Sequence, residues 1–193
     1  MSERVTVGEY LAGPEDTRPM ELVYGVVREP PAPLWGHQAV VVRTVVLLEG
    51  HVREHGLGHV GVAPTDVVLD RDRALIVQPD VFFVSNARAS LLGDVVWGAP
   101  DLVVEITSRR TARRDRTTKL RWYQEYGTRE CWLVDPERER VTVYDFTRAD
   151  RSAFAAHTGG ASVRSSVLPQ FDEPAEDFFP TRTGFGFGRP SSS

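Results

Sequence analysis

The composition of the chain fits one folded domain with a full apolar core. The chain has 193 residues, of which 41% are hydrophobic and 26% charged, and this balance excludes disordered and fibrous proteins. No apolar run reaches the roughly 18 residues that cross a bilayer, and "MSERVTVGEY" lacks the apolar stretch of a signal peptide. We therefore expect a cytoplasmic protein with no membrane partner. The formal net charge of -4 argues against a protein that coats nucleic acid indiscriminately.

The first half of the chain alternates short strands with one long helix. "TVGEYLAG" carries the capping-box pattern of a short helix. "MELVYGVVREP" predicts two short strands that meet at Gly25. Apolar residues at helical spacing predict a helix over about 37–54, with Gly56 as its C-terminal stop. Strands are predicted at about 59–69 and 75–84.

The second half contains a further strand, a helix and a hairpin. A strand is predicted at 101–107 and a helix at roughly 111–126. "ECWLVDPERERVTVYDF" predicts a hairpin of strands 130–134 and 140–146. The segment 164–179 predicts a last strand and a short acidic helix.

Strands interleaved with two main helices predict the fold class. This order indicates an α/β domain with one central mixed β-sheet flanked by helices. We expect a single domain over residues 1–179. The remainder, 180–193, is rich in Gly, Ser and Pro, and we expect it to be a mobile tail.

Two acids are associated with apolar strands, where an ionised carboxylate is costly to desolvate unless it is paired. Glu105 lies inside "PDLVVEITS", and Asp80 directly precedes "VFFVS". If the two strands are neighbours, both carboxylates project from one face, and their repulsion raises the pKa of at least one unless a cation is present. Mg²⁺ is typically held by one or two carboxylates plus waters and substrate phosphate. With Lys119 on the following helix to steady negative charge, such a set is sufficient for phosphodiester hydrolysis.

Several motifs occur in a fixed order over roughly residues 5–179. They are "MELVYGVV", "GHQAVVV", "QPDVFFVS", "GAPDLVVEITS" and "DRTTKLRWYQEYG". In this order the chain resembles the Uma-type restriction endonucleases, a family of the PD-(D/E)XK nuclease superfamily whose functions are largely unassigned. The resemblance implies a restriction-endonuclease-like fold. It also implies an endonuclease that depends on Mg²⁺ or Mn²⁺ and acts on nucleic acid, which we expect to be DNA.

The resemblance also implies roles for individual residues. Asp80, Glu105 and Lys119 would be catalytic, and the metal would be held by Asp80, Glu105 and the backbone carbonyl of Ile106. The superfamily signature has a lysine two residues after the glutamate, but Thr107 occupies that position here. The Uma-type sequences carry a lysine on the next helix instead, and it matches Lys119.

Three further positions have two readings each. Glu21 matches an acidic position of related sequences, although an ordinary strand-edge acid explains it equally well. His37 also matches the family pattern and would orient a water or contact phosphate at a helix N-terminus. A polar residue that starts a helix is the alternative for His37. Tyr123, one turn after Lys119, is predicted to belong to the core, and a contact in the site is the alternative.

A basic run follows the strand that carries Glu105. Residues 108–121 hold seven Lys or Arg residues against one acid, Asp115. Such a patch beside an acidic site would meet a phosphate backbone, and Arg110, Arg113 and Arg114 are its candidate contacts. A solvated helix face is the alternative reading of a charge run.

Two other function classes stay open at this stage. The first is a non-catalytic nucleic-acid-binding or interaction module that retains the nuclease fold. The second is a purely structural role, with Glu105 buried beside an arginine of the basic run. Because many nucleases of this fold cut two strands as dimers, a homodimer is also an expectation from the resemblance.

Overall fold

The computed structural model describes residues 4–13, 18–107, 113–150 and 154–180. These residues form a mixed α/β structure with few helices and many short strands. The helices are α1 (Val7–Leu11), α2 (Trp35–His55) and α3 (Arg113–Glu125). The strands are β1 (Glu21–Val23), β2 (Val26–Arg28), β3 (Gly58–Val62), β4 (Val67–Asp70), β5 (Leu75–Val77), β6 (Val81–Ser85), β7 (Val96–Trp97), β8 (Leu102–Ile106), β9 (Glu130–Asp135), β10 (Arg140–Asp145), β11 (Phe154–Thr158), β12 (Ser162–Arg164) and β13 (Asp172–Pro174).

The strands are arranged in two large sheets and one small one. The six-stranded sheet has the order β11-β10-β9-β8-β6-β3, and only its β8–β9 pair is parallel. Helix α3 makes the crossover between those two parallel strands, as a parallel pair requires. The five-stranded sheet has the order β2-β1-β5-β4-β7, with β4 and β7 parallel, and β12 pairs with β13.

The prediction of one central sheet is correct only in part, because two predicted strands pass from one large sheet to the other. The segment predicted at 59–69 forms β3 and then β4, and the segment predicted at 75–84 forms β5 and then β6. Pro64 and Pro79 lie at the two breaks. Proline cannot donate a hydrogen bond to a sheet ladder, so both strands leave their ladder at this level. The two large sheets therefore meet at a corner, and Asp80 lies at that corner.

The six-stranded sheet is covered by a helix on each face, as the sequence predicts. On one face, Leu48 and Val52 of α2 pack in a core with Phe83 and Val104. On the other face, Trp122 and Tyr123 of α3 pack in a second core with Val103 and Cys131. Successive residues of a strand point to opposite faces, so β8 contributes to both cores. Glu105, two residues after Val103, lies on the face covered by α3.

Local signals in the sequence placed most helix ends correctly. Helix α1 has the predicted capping box between Thr6 and Glu9. Helix α2 ends at Gly56, whose backbone is left-handed with φ of 60°. It begins at Trp35, two residues earlier than predicted, since Leu34 is the extended N-cap residue. The predicted β9–β10 hairpin is confirmed, while the short strands β7, β11 and β12 were not predicted.

A second acid, Asp101, lies directly before β8 and is buried with hydrogen-bond and ion-pair partners. Asp101 is completely buried and accepts a hydrogen bond from the backbone N–H of Ser85 at 2.8 Å. The guanidinium groups of Arg88 and Arg129 lie 3.3 and 3.6 Å from its Oδ1. Asp101 therefore pairs with two arginines that lie outside the basic run.

Two sequence expectations remain, one about crossing a membrane and one about the C-terminal tail. No helix of the ranges that the structure describes is long and apolar enough to cross a membrane. Residues 181–193, most of the predicted tail, lie outside those ranges. The division of the chain at residue 179 thus stays a prediction.

Candidate active site

A pocket opens at the corner where the two large sheets meet, between the first turn of α2 and the middle of α3. It has a volume of about 330 Å³. Its floor is polar, and much of its wall is made of prolines and other apolar residues. All six of the predicted catalytic, metal-binding and supporting residues line it, namely Glu21, His37, Asp80, Glu105, Ile106 and Lys119.

Asp80 and Glu105 come together because β6 and β8 are antiparallel neighbours. Val81 pairs with Val104, so the next residues outward, Asp80 and Glu105, are directly opposed. The Oδ2 atom of Asp80 accepts a hydrogen bond from the backbone N–H of Ile106 at 2.7 Å, which fixes the carboxylate at the end of β8. Both carboxylates line the pocket, with side chains 19% and 15% exposed.

Lys119 reaches the two acids on its side of the pocket from the second turn of α3. Its Nζ lies 2.7 Å from Oε1 of Glu21 and 3.4 Å from Oε1 of Glu105. Burial alone would lower the pKa of Lys119, but the charges of Glu105 and Glu21 outweigh it and raise that pKa above its usual value. The ammonium therefore stays protonated between the two carboxylates. The structure thus brings together the residues that the sequence predicts, and their catalytic roles stay predictions.

The pKa of the Glu105 carboxyl group is strongly raised in this pocket. Burial, partly offset by the positive charge of Lys119 and reinforced by the negative charge of Asp80, raises its pKa to about 7. The hydroxyl of Tyr123 donates a hydrogen bond to Oε1 of Glu105. Two groups on one face of α3 therefore hold this carboxylate in place from above.

The raised pKa predicts how stability depends on pH when divalent cations are removed by a chelator. The native state keeps a proton on Glu105 up to a pH of about 7, whereas the unfolded carboxyl loses it near 4.5. The native state binds more protons in this window, so the free energy of unfolding falls as pH rises, by about 3 kcal/mol in total. Urea denaturation between pH 5 and 8 measures this fall.

The variant Glu105→Gln is the control for that prediction, because it has no carboxyl at this position and should lack the fall. The pKa of His37 is also raised. The free energy of unfolding therefore falls for a second reason as pH rises above about 6.5, in both proteins. That contribution is smaller in the variant, which lacks the charge of Glu105, so the difference between the two proteins reports every effect of the Glu105 carboxyl. Identical pH dependence in wild type and variant would contradict the prediction.

His37, on the first turn of α2, contacts the same oxygen of Asp80 that accepts the hydrogen bond of Ile106. Its Nε2 lies 3.2 Å from Oδ2 of Asp80. Burial lowers the pKa of His37, but the hydrogen bond and charge of Asp80, with the charge of Glu105, raise it overall. Its Nδ1 is buried and has no hydrogen-bond partner among the residues that the structure describes. His37 therefore holds Asp80 from the α2 side, as Lys119 and Tyr123 hold Glu105 from the α3 side.

Sequence reasoning missed two residues that support the pocket. Gln78 donates its backbone N–H to Oε1 of Glu21 at 3.3 Å and its side-chain amide to Asp66 at 2.9 Å. The only sequence signal was a polar residue inside the apolar run "LIVQPDV". Tyr123 is in the core as predicted, being fully buried, but its hydroxyl also contacts Glu105. Its spacing of four from Lys119 on a helix was the available signal.

Comparison with known proteins identifies the family. A family model described as "Putative restriction endonuclease", Uma2, matches residues 7–176. The chain belongs to the Uma2 family. Its fold is also that of a solved structure, "a putative nuclease belonging to DUF820 from Anabaena variabilis ATCC 29413", with a TM-score of 0.78 and 20% sequence identity. The similarity covers 91% of this chain and 97% of that one. None of the curated proteins compared with the chain matches it.

The oxygen atoms in this Uma2 pocket suit a hard divalent cation. Asp80 uses Oδ2 and Glu105 uses Oε1 for their contacts within the described ranges, which leaves one oxygen of each carboxylate for a ligand. Carboxylate and carbonyl oxygens are the ligands that Mg²⁺ prefers, and one or two carboxylates are sufficient for it. No group of three His, Cys, Asp or Glu side chains in the described ranges is arranged to hold a metal. The third acid of the pocket, Glu21, is paired with Lys119.

The predicted nucleic-acid contacts of the basic run are outside what the structure describes. Arg110 lies between the described ranges. Arg113 and Arg114 are in the first turn of α3, and their side chains are not described. These three residues stay predictions.

Proposed function

We propose that the protein is a divalent-metal-dependent endonuclease that hydrolyses phosphodiester bonds of nucleic acid, with DNA as the expected substrate. The observation that carries the proposal is that Asp80, directly before β6, and Glu105, on the neighbouring strand β8, line one pocket with the ammonium of Lys119 at 3.4 Å from Glu105. Membership of a family described as restriction endonucleases supports it by name.

In this proposal Asp80, Glu105 and the carbonyl of Ile106 hold Mg²⁺ or Mn²⁺. When bound, such an ion polarises a phosphoryl oxygen and lowers the pKa of a coordinated water. Lys119 stabilises the negative charge that develops on the phosphate or positions the attacking water. Tyr123 and Lys119 orient Glu105, and His37 and the Ile106 N–H orient Asp80, as partners behind metal ligands commonly do.

The metal assignment predicts that Asp80→Ala and Glu105→Ala each lose at least about tenfold in affinity for Mn²⁺. Each change removes one of the two anionic ligands. Isothermal titration calorimetry measures the affinity directly. Glu125→Ala is the matched control, because Glu125 is an exposed acid at the end of α3 and outside the pocket. Wild-type affinity in both pocket variants would refute the assignment.

The activity itself is tested by incubating the protein with plasmid, single-stranded DNA and RNA in Mg²⁺, Mn²⁺ or a chelator. We expect cleavage by the wild type with either metal, and none in the chelator or by Glu105→Ala. A wild type that binds nucleic acid but cleaves none of these substrates with either metal would favour the non-catalytic binding module instead.

A further inference from the structure

A second concave surface, the arginine groove, runs along the face of the six-stranded sheet beside α3. It has a volume of about 370 Å³. Its walls include Thr107, Thr117, Arg140, Thr142, Tyr144 and Phe154. None of these residues lines the candidate active site, and the role proposed above uses none of them.

The arginine groove lies on the same face of the six-stranded sheet as Glu105. On adjacent strands, Glu105 pairs with Leu133 and Leu133 pairs with Thr142. Neighbouring strands lie about 4.8 Å apart, so Thr142 is roughly 10 Å from Glu105 on the same face of the sheet. Thr107 and Thr117 of the groove lie two residues along the chain from Glu105 and from Lys119 respectively. This spacing is short enough for one nucleic-acid strand to contact both sites.

Arg140 brings a positive charge into the groove, where Asp135 is the one acid among the described lining residues. It forms no ion pair with a described residue, and its Nε is buried without a hydrogen-bond partner in those ranges. Its cross-strand neighbour Asp135 is committed elsewhere, to the guanidinium of Arg138 at 2.8 Å and to the backbone N–H groups of Glu137 and Arg138. A buried donor of a charged group without a partner is costly, and an anionic ligand would satisfy it.

An exposed aromatic ring lies at the outer end of the groove. Phe154 is 61% exposed, and one side of its ring packs on Tyr144 with a centroid separation of 5.3 Å. An exposed aromatic ring beside a cationic groove is the combination that binds single-stranded nucleic acid, because bases stack on the ring while the backbone follows the charge.

We propose that the arginine groove binds single-stranded nucleic acid next to the cleavage site, with a phosphodiester on Arg140 and a base stacked on Phe154. The inference rests on the proposed function for its substrate class and extends it to a strand that is unpaired on this side of the cut. Thr142, whose side chain faces the groove between Glu105 and the aromatic pair, lies beneath the path of that strand.

Binding is measured by fluorescence anisotropy with a labelled oligothymidine in a chelator, so that no cleavage occurs, over a series of salt concentrations. Arg140→Gln should weaken binding about tenfold and lower the salt slope by about 0.7, the share of one phosphate contact on a single strand. Arg53→Gln makes the same charge change on an exposed position of α2 and should do neither. Arg140→Lys keeps the charge and should keep the slope, and a melting temperature verifies that each variant folds.

The stacking contact is tested by Phe154→Ala, which should weaken binding of the oligothymidine about tenfold without changing the salt slope. Phe154→Trp keeps an aromatic ring at this position and should bind the oligothymidine like the wild type. Equal behaviour of Arg140→Gln and Arg53→Gln would overturn the phosphate site. Equal affinity for a duplex of the same length, with no effect of Phe154→Ala, would overturn the single-strand assignment.

Failure of this inference is distinguishable from failure of the proposed function. A wild type that cleaves nucleic acid, with groove variants that bind like the control, would refute the groove and leave the nuclease proposal intact. A wild type that neither binds nor cleaves any nucleic acid would refute both.

Discussion

Glu105→Gln is expected to reduce cleavage by about 10³-fold or more while the protein stays folded. Glutamine keeps the shape of the side chain and can still accept the hydrogen bond of Tyr123, but it removes the negative charge that a metal ion needs. Because burial raises the pKa of Glu105 to about 7, its ionised form is unfavourable in the chelated protein. Thermal unfolding at pH 8 in a chelator should therefore show an equal or higher melting temperature for the variant.

The two readouts together separate the catalytic from the structural interpretation of Glu105. A variant with lost cleavage and a melting temperature lowered by several degrees would favour the structural role. Cleavage at the wild-type rate would remove Glu105 from the chemistry altogether. Glu125→Gln, a change of the same kind at an exposed position of α3, should alter neither readout.

Lys119→Met is expected to cost about 3–5 kcal/mol of stability as well as cleavage. Lys119 is the cation between the buried carboxylates of Glu21 and Glu105, at 2.7 and 3.4 Å. Removing it leaves two buried negative charges without a partner. Urea denaturation at pH 8 in a chelator measures the loss, and Lys119→Arg, which keeps the charge, should recover most of the stability.

The double variant Lys119→Met with Glu21→Gln tests the cause of that loss. It removes the acid that lies closest to the lysine, so it should be more stable than Lys119→Met alone. A loss of less than 1 kcal/mol for Lys119→Met would mean that solvent already screens the pair. It would also contradict the raised pKa of Lys119 as a consequence of buried acids.

The pairing of Lys119 with two acids explains how a glutamate is accommodated in the apolar strand β8. Glu105 accepts a hydrogen bond from Tyr123 and is contacted by the ammonium of Lys119, and these two partners offset part of the cost of burying it beside Asp80. Asp101 in the same segment is accommodated differently, because Arg88 and Arg129 neutralise its charge outside the pocket. Only one of these two acids is accessible to a ligand.

The sequence by itself determined the local elements and the chemistry-bearing residues. The capping box of α1, the glycine stop of α2 and the β9–β10 hairpin depend on contacts within a few residues, and all three were predicted correctly. Asp80 and Glu105 were recognisable because an acid next to an apolar run is unusual. Lys119 was identified by the family resemblance, as its own neighbourhood also permits a surface ion pair.

Only the tertiary structure decided how these residues meet. Apolar patterning reports that a strand is buried but not which strand lies beside it, so the division into two sheets at Pro64 and Pro79 was not predicted. The contact of Lys119 with Glu21 joins residues that are 98 positions apart, and periodicity holds no information about such a pair. The same holds for Arg140, which forms no ion pair within the described residues while its cross-strand neighbour Asp135 is bound to Arg138. Long-range pairing of charges depends on the packing of whole elements, which is why it appears only in the folded chain.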